Sequence, residues 1–289
     1  MGGRQVKVAL ITFIALIGAT ALAYIPDYQM IMSRTADNHG RGIYLIEQDV
    51  VFRGDPDPLV VHETWWIAGE NAMRVNFEGR GSLKGLIQGA ITYDATEKQW
   101  YEEGTSLKTA RLSEDWAEPF FHFRYSKNIK AKLVALKIAP PESLKPRGVS
   151  VKDGTEFTYG AQSFIRLARS GGTVSYAIGG LSAPDDASQT PGIWIEQDQF
   201  VVQKIRLPST ALVKAEQFSR YAEDFWLPKT RTISWGPNSI QIHVGAVRSL
   251  KKADSNMLKI SAADVQKDPG LSARWPDQEV IREFYTRFR

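Results

Sequence analysis

Ile43-Tyr44-Leu45-Ile46-Glu47-Gln48-Asp49-Val50-Val51-Phe52 is the stretch that decides the architecture. Tyr44, Ile46, Gln48, Val50 and Phe52 fall on one side of a period-two repeat, opposite Glu47, Asp49 and Arg53, as in a strand with one buried face. Gly54-Asp55-Pro56-Asp57-Pro58 reads as a loop, and a second strand follows from Leu59 to Ala68 with Trp65 and Trp66. Gly69-Glu70-Asn71 is the next turn. Ala72 to Glu78 puts Met73, Val75 and Phe77 on one face, Ile87, Ile91 and Tyr93 continue to Asp94, and Gln99 to Thr109 adds a strand with Trp100. Upstream, Ile25, Tyr28, Ile31 and Met32 sit at helical spacing within Ile25 to Asn38, and His39-Gly40-Arg41-Gly42 ends that helix.

A helical interlude is predicted next. Ser113 can cap a helix carrying Trp116, Phe120 and Phe123, and Ile129, Leu133 and Leu136 mark a second, basic helix ended by Pro140-Pro141. The Pro-, Lys- and Gly-rich stretch from Pro140 to Gly154 reads as a surface loop. Strands then resume: Ser163–Ala168 and Thr173–Ile178 flank Gly171-Gly172, a tight hairpin turn. Gly192–Glu196 pairs with Phe200–Leu207 across Gln197-Asp198-Gln199. Ala211–Tyr221, Trp226–Trp235 and Ile240–Leu250 complete a meander, and a final helix to Arg289 repeats Val280, Phe284 and Phe288 every four residues. The sum is about eleven strands and four helical segments.

The N-terminus sets the compartment. Arg4 and Lys7 precede an uncharged run from Val8 to Ala23 that closes on Ala21-Leu22-Ala23, the three parts of a secretory signal peptide. Cleavage there leaves a mature chain from Tyr24, a single domain over 24–289 with an extension beyond about 251. The predicted location is the periplasm, or the membrane surface if the leader stays as an anchor. Composition narrows the function. Of 289 residues, 43% are hydrophobic and 24% charged, which is globular composition. Without Arg4 and Lys7, the 36 basic residues fall to 34 against 32 acidic ones, with no basic patch for nucleic acid. The absence of Cys excludes disulfides, thiolate metal sites and cysteine nucleophiles.

Reactive constellations are missing too. His62-Glu63-Thr64-Trp65-Trp66 starts like a zinc-binding helix motif, but the second His is absent and the segment alternates like a strand. His122 between Phe121 and Phe123 reads as a packed or half-exposed histidine rather than a general base. Asp55/Asp57 and Asp185-Asp186 lack the ligand count of a calcium loop. Lys127, Lys130, Lys132 and Lys137 form a basic face, read as solvated, with contact to an anionic membrane as the other reading. The expectation is no catalytic residue, no metal and no cofactor.

The order of the strand sequences resembles the outer-membrane lipoprotein-sorting (LolA-like) carriers. Gly42-Ile-Tyr-Leu-Ile-Glu-Gln-Asp-Val, Glu63-Thr-Trp-Trp-Ile, Arg74-Val-Asn-Phe and Ile91-Thr-Tyr-Asp-Ala carry the likeness in the first half. Ile193-Trp-Ile-Glu-Gln-Asp, Val202-Gln-Lys-Ile-Arg-Leu, Asp224-Phe-Trp-Leu-Pro-Lys and Ile242-His-Val-Gly-Ala-Val carry it in the second. The resemblance implies a mainly β fold, a curved antiparallel half-barrel with helices covering its concave face and acyl chains held between. Ile46, Val50, Phe52, Trp65, Trp66, Met73, Val75, Phe77, Ile91 and Tyr93 would then line the apolar cavity, with only one of the two adjacent Trp side chains able to point inward. One departure matters: the carriers place a basic residue and Pro in the turn before the third strand, and Gly69-Glu70-Asn71 has neither, so their gating does not carry over. The implied function is a non-enzymatic carrier of a lipid or acylated lipoprotein, touching an envelope partner and transiently the membrane. The alternative is a sensor or adaptor on the same fold. A carrier needs open volume, whereas an adaptor can fill it with Trp and Phe.

Overall fold

The alternation in Ile43–Phe52 becomes β1, buried at every second residue. The structure is a computed structural model that describes residues 25–69, 72–94, 96–102, 106–118, 123–144, 149–152, 155–158, 163–179, 189–222, 225–252, 256–264 and 279–289. The leader, the helix position at Phe120, His122, Asp185-Asp186, Trp275-Pro276 and Glu70-Asn71 fall outside these residues.

β2 (Leu59–Ile67), β3 (Met73–Arg80), β4 (Gln88–Tyr93), β5 (Glu97–Glu102) and β6 (Ser106–Arg111) form one meander. β7 (Val149–Lys152) and β8 (Thr155–Thr158) make a separate two-stranded ribbon. β9 (Ile165–Ser170), β10 (Thr173–Gly179), β11 (Gly192–Glu196), β12 (Val202–Arg206), β13 (Leu212–Ala222), β14 (Phe225–Trp235) and β15 (Asn238–Leu250) form a second meander. The two meanders join where β1 pairs antiparallel with β15, giving one open 13-stranded sheet with β6 and β9 at its edges. Helices α1 (Tyr28–Asp37), α2 (Ser126–Ala135) and α3 (Glu279–Arg287) pack on its inner face. The fold is mainly β with α, an antiparallel half-barrel.

Two differences from the sequence reading concern strand number. Gln99 to Thr109 is not one strand but the hairpin β5–β6, and part of the predicted loop from Pro140 to Gly154 is β7. A third concerns the interlude. Among the described residues of 113–123 there is no helix: Ser113 Oγ accepts from the Asp115 amide at 3.1 Å, in a turn at Glu114 and Asp115. Trp116 and Phe123 share helical spacing yet plug different places, Trp116 on Trp65 and Tyr93, Phe123 beside His39. Apolar spacing alone cannot tell one helix face from separate plugs.

Local chemistry explains the elements that form. Asp27 caps α1, its Oδ1 accepting from the Met30 amide at 2.8 Å. Gly171 (φ 58°) and Gly172 (φ 87°) supply the two positive φ angles that a tight hairpin turn demands. Between Glu47 and Gln48 the β1–β15 register shifts by one around Gly245, a bulge that bends the strand. Arg124, fully buried, donates to the carbonyls of Gly40 (2.8 Å), Gly42 and Gly69 (3.0 Å), tying the approach to β1 to the exit from β2. Of the basic α2 face, Lys130 donates to Gln29 at 2.6 Å and burial lowers Lys132 to about 8, so Lys127 and Lys137 are the exposed members.

His39, buried beside β14, donates from Nδ1 to the Thr35 carbonyl at 2.6 Å. Burial holds its imidazole down at about 4, although the Thr35 bond opposes the shift. A folded-state value below the ordinary 6.5 means stability fully present above that pH and lost as pH falls toward 4, on the order of 3 kcal/mol. Thermal melts from pH 7 to 4 should show this loss, and His39→Gln should flatten that part of the curve.

Candidate functional site: the inner face and its ion ring

Period-two geometry sends odd-numbered residues of β2 and β3 inward. Ile46, Trp65, Met73, Val75, Ile91 and Tyr93 cluster with Tyr44, Ile67, Phe225 and Leu227 on one half of the inner face. Val50 and Phe52 belong to the other half, under the helices, and half-buried Phe77 touches both. Trp65 is the inward member of the Trp pair. Trp66 lies on the outer face, with the Arg74 guanidinium 5.6 Å from its ring.

The chain itself covers this wall. Trp116 stacks on Tyr93 with centroids 4.8 Å apart and tilts against Trp65 at 5.9 Å. From α3, Tyr285 stacks on Phe77 at 4.6 Å and Phe284 meets Phe52 edge-on at 5.5 Å. Lys98 of β5 donates to the carbonyls of Tyr285 (3.2 Å), Thr286 (3.0 Å) and Arg289, capping the end of α3 with a cation. Burial lowers that ammonium to about 8.

Beneath α3 lies a feature that the sequence reading missed. Gln48, Glu63, Glu118, Arg231 and Arg289 are all buried and close a ring of hydrogen bonds. Arg289 donates to Glu63 (2.9 Å) and to Glu118 (3.0 Å); Arg231 donates to Glu118 and to the Gln48 side-chain oxygen; Gln48 donates to Glu63 at 2.7 Å. Trp65 Nε1 adds a bond to Glu63 at 2.9 Å. Two carboxylates face two guanidiniums, so the ring is electrically neutral. Aromatic faces enclose the Arg289 guanidinium, with Trp65 and Phe284 both at 4.7 Å. Burial pushes the Glu63 carboxyl up, but the Arg289 charge and the bonds from Arg289, Gln48 and Trp65 outweigh it and hold the group below its ordinary range. Burial likewise lowers Arg231, with Glu118 opposing.

The sequence held a partial signal. Gln48 and Glu63 occupy inner-face positions between apolar neighbours, and they pair directly across β1 and β2. Chemically the ring positions rather than reacts: each carboxylate is already bonded to cationic donors and no nucleophile stands beside a base in it. No group of three or more His, Asp or Glu able to hold a metal occurs among the described residues, and none of the described helices is long and apolar enough to cross a membrane.

No protein-family model matches the chain, and no curated protein matches it. Solved structures do. An outer-membrane lipoprotein-sorting protein domain from Vibrio parahaemolyticus is 11% identical, with 78% of this chain and 93% of that one covered and a TM-score of 0.44. A LolA superfamily protein from Nitrosomonas europaea is 11% identical, covering 82% and 99%, with a TM-score of 0.49. A DUF1329 family protein from Desulfovibrio piger is 9% identical, covering 80% and 95%, with a TM-score of 0.44.

Proposed function

We propose that the chain is a non-enzymatic adaptor or sensor of the cell envelope, exported by its leader and acting through a protein partner. One observation carries this reading: the wall expected to hold an acyl chain is occupied by Trp116, Phe284, Tyr285 and Arg289 of the chain itself. Magnitudes put self-coverage and acyl exchange close together. Uncovering Ile281, Phe284 and Phe288 costs about 1.5–3 kcal/mol each, and stranding Glu63 and Glu118 without Arg289 adds roughly 3–5 kcal/mol. A cargo chain burying about fourteen methylenes returns roughly 11 kcal/mol at about 0.8 each, so exchange comes out near balance.

The second reading is a periplasmic carrier of a lipid or acylated lipoprotein, with α3 lifting away to admit cargo. It is favoured by α3 being one short helix laid over the wall, not a strand woven into it. A fluorescent fatty acid titrated into the chain from Tyr24 onward separates the two. The adaptor reading expects no saturable uptake. Saturable uptake that Val75→Glu or Ile91→Glu abolishes, with the circular dichroism of the sheet intact, establishes the carrier instead.

A further inference from the structure

On the outer face, opposite the ion ring, two cross-strand rows lie side by side: His62–Glu78–Gln88 and Thr64–Asn76–Ala90, each spanning β2, β3 and β4. The segment 256–264 crosses above them. Arg74 fastens it, donating to the Lys259 carbonyl and to Asp264 at 2.9 Å while its Nε holds the Asn76 oxygen at 2.7 Å. Asp264 is fixed from its other side by the Ser261 amide at 2.6 Å. Between floor and strap remains a cavity of about 200 Å³, lined by His62, Thr64, Asn76, Glu78, Gln88 and Asp264. That is room for several waters or one small polar molecule.

The free hydrogen-bonding capacity of this cavity is mixed. Thr64, Glu78 and Gln88 engage no partner among the described residues, and the Arg74 bond to Asn76 uses only its amide oxygen. His62 uses Nδ1 on Asp49 at 2.7 Å, which leaves Nε2. Hydroxyl, amide, imidazole and carboxylate groups therefore stand within one molecule's reach. The charge is one-sided among the described residues: the Arg74 guanidinium is matched by Asp264, while no described cation pairs with the Glu78 carboxylate. Such a lining suits a ligand with several hydroxyls, neutral or carrying an amine, and disfavours phosphates and carboxylates.

We propose that this outer-face cavity binds a single sugar unit, neutral or amine-bearing, independently of whatever the inner face does. The floor is rigid because it is sheet, and its polar groups are placed by register rather than by loop conformation. Glu78 sets the preference for an amine, while Thr64 and Gln88 serve the hydroxyls.

The test is a titration of the full mature chain, followed by NMR shifts of amides in β2–β4, with D-glucose, D-glucosamine and glucose 6-phosphate as separate probes. Expected are saturable, millimolar shifts with glucose, tighter binding of glucosamine and none of the phosphate ester. Gln88→Ala should weaken both sugars about five- to tenfold. Glu78→Gln should remove the glucosamine advantage and leave glucose binding in place. Both positions are exposed on the outer face, so an unchanged melting temperature shows that the fold is intact. No saturation with either sugar overturns the proposal. Phosphate-ester binding equal to that of glucose, or a Gln88→Ala variant that binds like the parent, also overturns it.

Discussion

Glu63→Ala is expected to be among the most damaging single changes in the inner face, lowering stability by about 3–5 kcal/mol and the melting temperature on the order of 10 °C. The reason lies in what remains, not in what leaves. Arg289 Nε loses both Glu63 oxygens while fully buried, Gln48 loses its acceptor, and Trp65 Nε1 loses its bond. An orphaned buried charge costs more than the ion pair contributes. Glu63→Gln keeps the shape and one oxygen acceptor but not the charge, so it should fall between parent and Ala. Acid should reproduce the effect. Because the folded carboxyl is held below its ordinary range, the stability it contributes is complete above the unfolded-state value of about 4.5 and disappears as pH falls below it. Parent melts should therefore steepen in their pH dependence below that point, and the Glu63→Ala variant should lack that component. An Ala variant as stable as the parent would mean that the ring contributes nothing.

Phe284→Ala is expected to cost about 3–5 kcal/mol, with a distinct spatial signature. Its ring is wedged among Phe52 (5.5 Å), Phe288 (5.9 Å), Trp235 (6.4 Å) and the Arg289 guanidinium. Removing it leaves a void that aromatic neighbours on a rigid sheet cannot close. Phe284→Leu, which refills most of that volume, should lose much less. Hydrogen exchange tells a local effect from a global one. Amides of α3 should lose protection in the Ala variant first, while those of α1 and α2, which pack against each other, keep theirs. Uniform loss across all three helices would show that α3 unfolds only with the whole.

What could be read in advance follows the range of the interactions involved. The alternation of Ile43–Phe52 and the Gly171-Gly172 turn are local, and both are legible in sequence. The inward choice between Trp65 and Trp66 was not legible, because apolar residues of both parities flank the pair, and the structure settles it for Trp65. The β5–β6 hairpin was missed although Gly104 signals a turn, since polar residues on both strands obscure any apolar face. The ion ring was out of reach. Gln48 and Glu63 are fifteen residues apart, but Arg289 meets Glu63 across 226 positions and Arg231 meets Glu118 across 113. A single charged residue at an inner position announces that a partner exists and says nothing of where it is.

The order of strands has a consequence for the chain as it emerges during synthesis. Every neighbouring pair in the large sheet is consecutive in sequence except β1 with β15. Each meander can thus zip from turn to turn with little loop to close, whereas the seam between them must bring Ile43 to Leu250. Until β15 has been made, β1 presents a long strand edge with Ile46, Val50 and Phe52 beside it, open to any passing strand. A protein built this way needs its first half kept apart from other copies until the last strands arrive. The sheet can close only once both sides of the seam, Ile43 to Phe52 and Asn238 to Leu250, are present together.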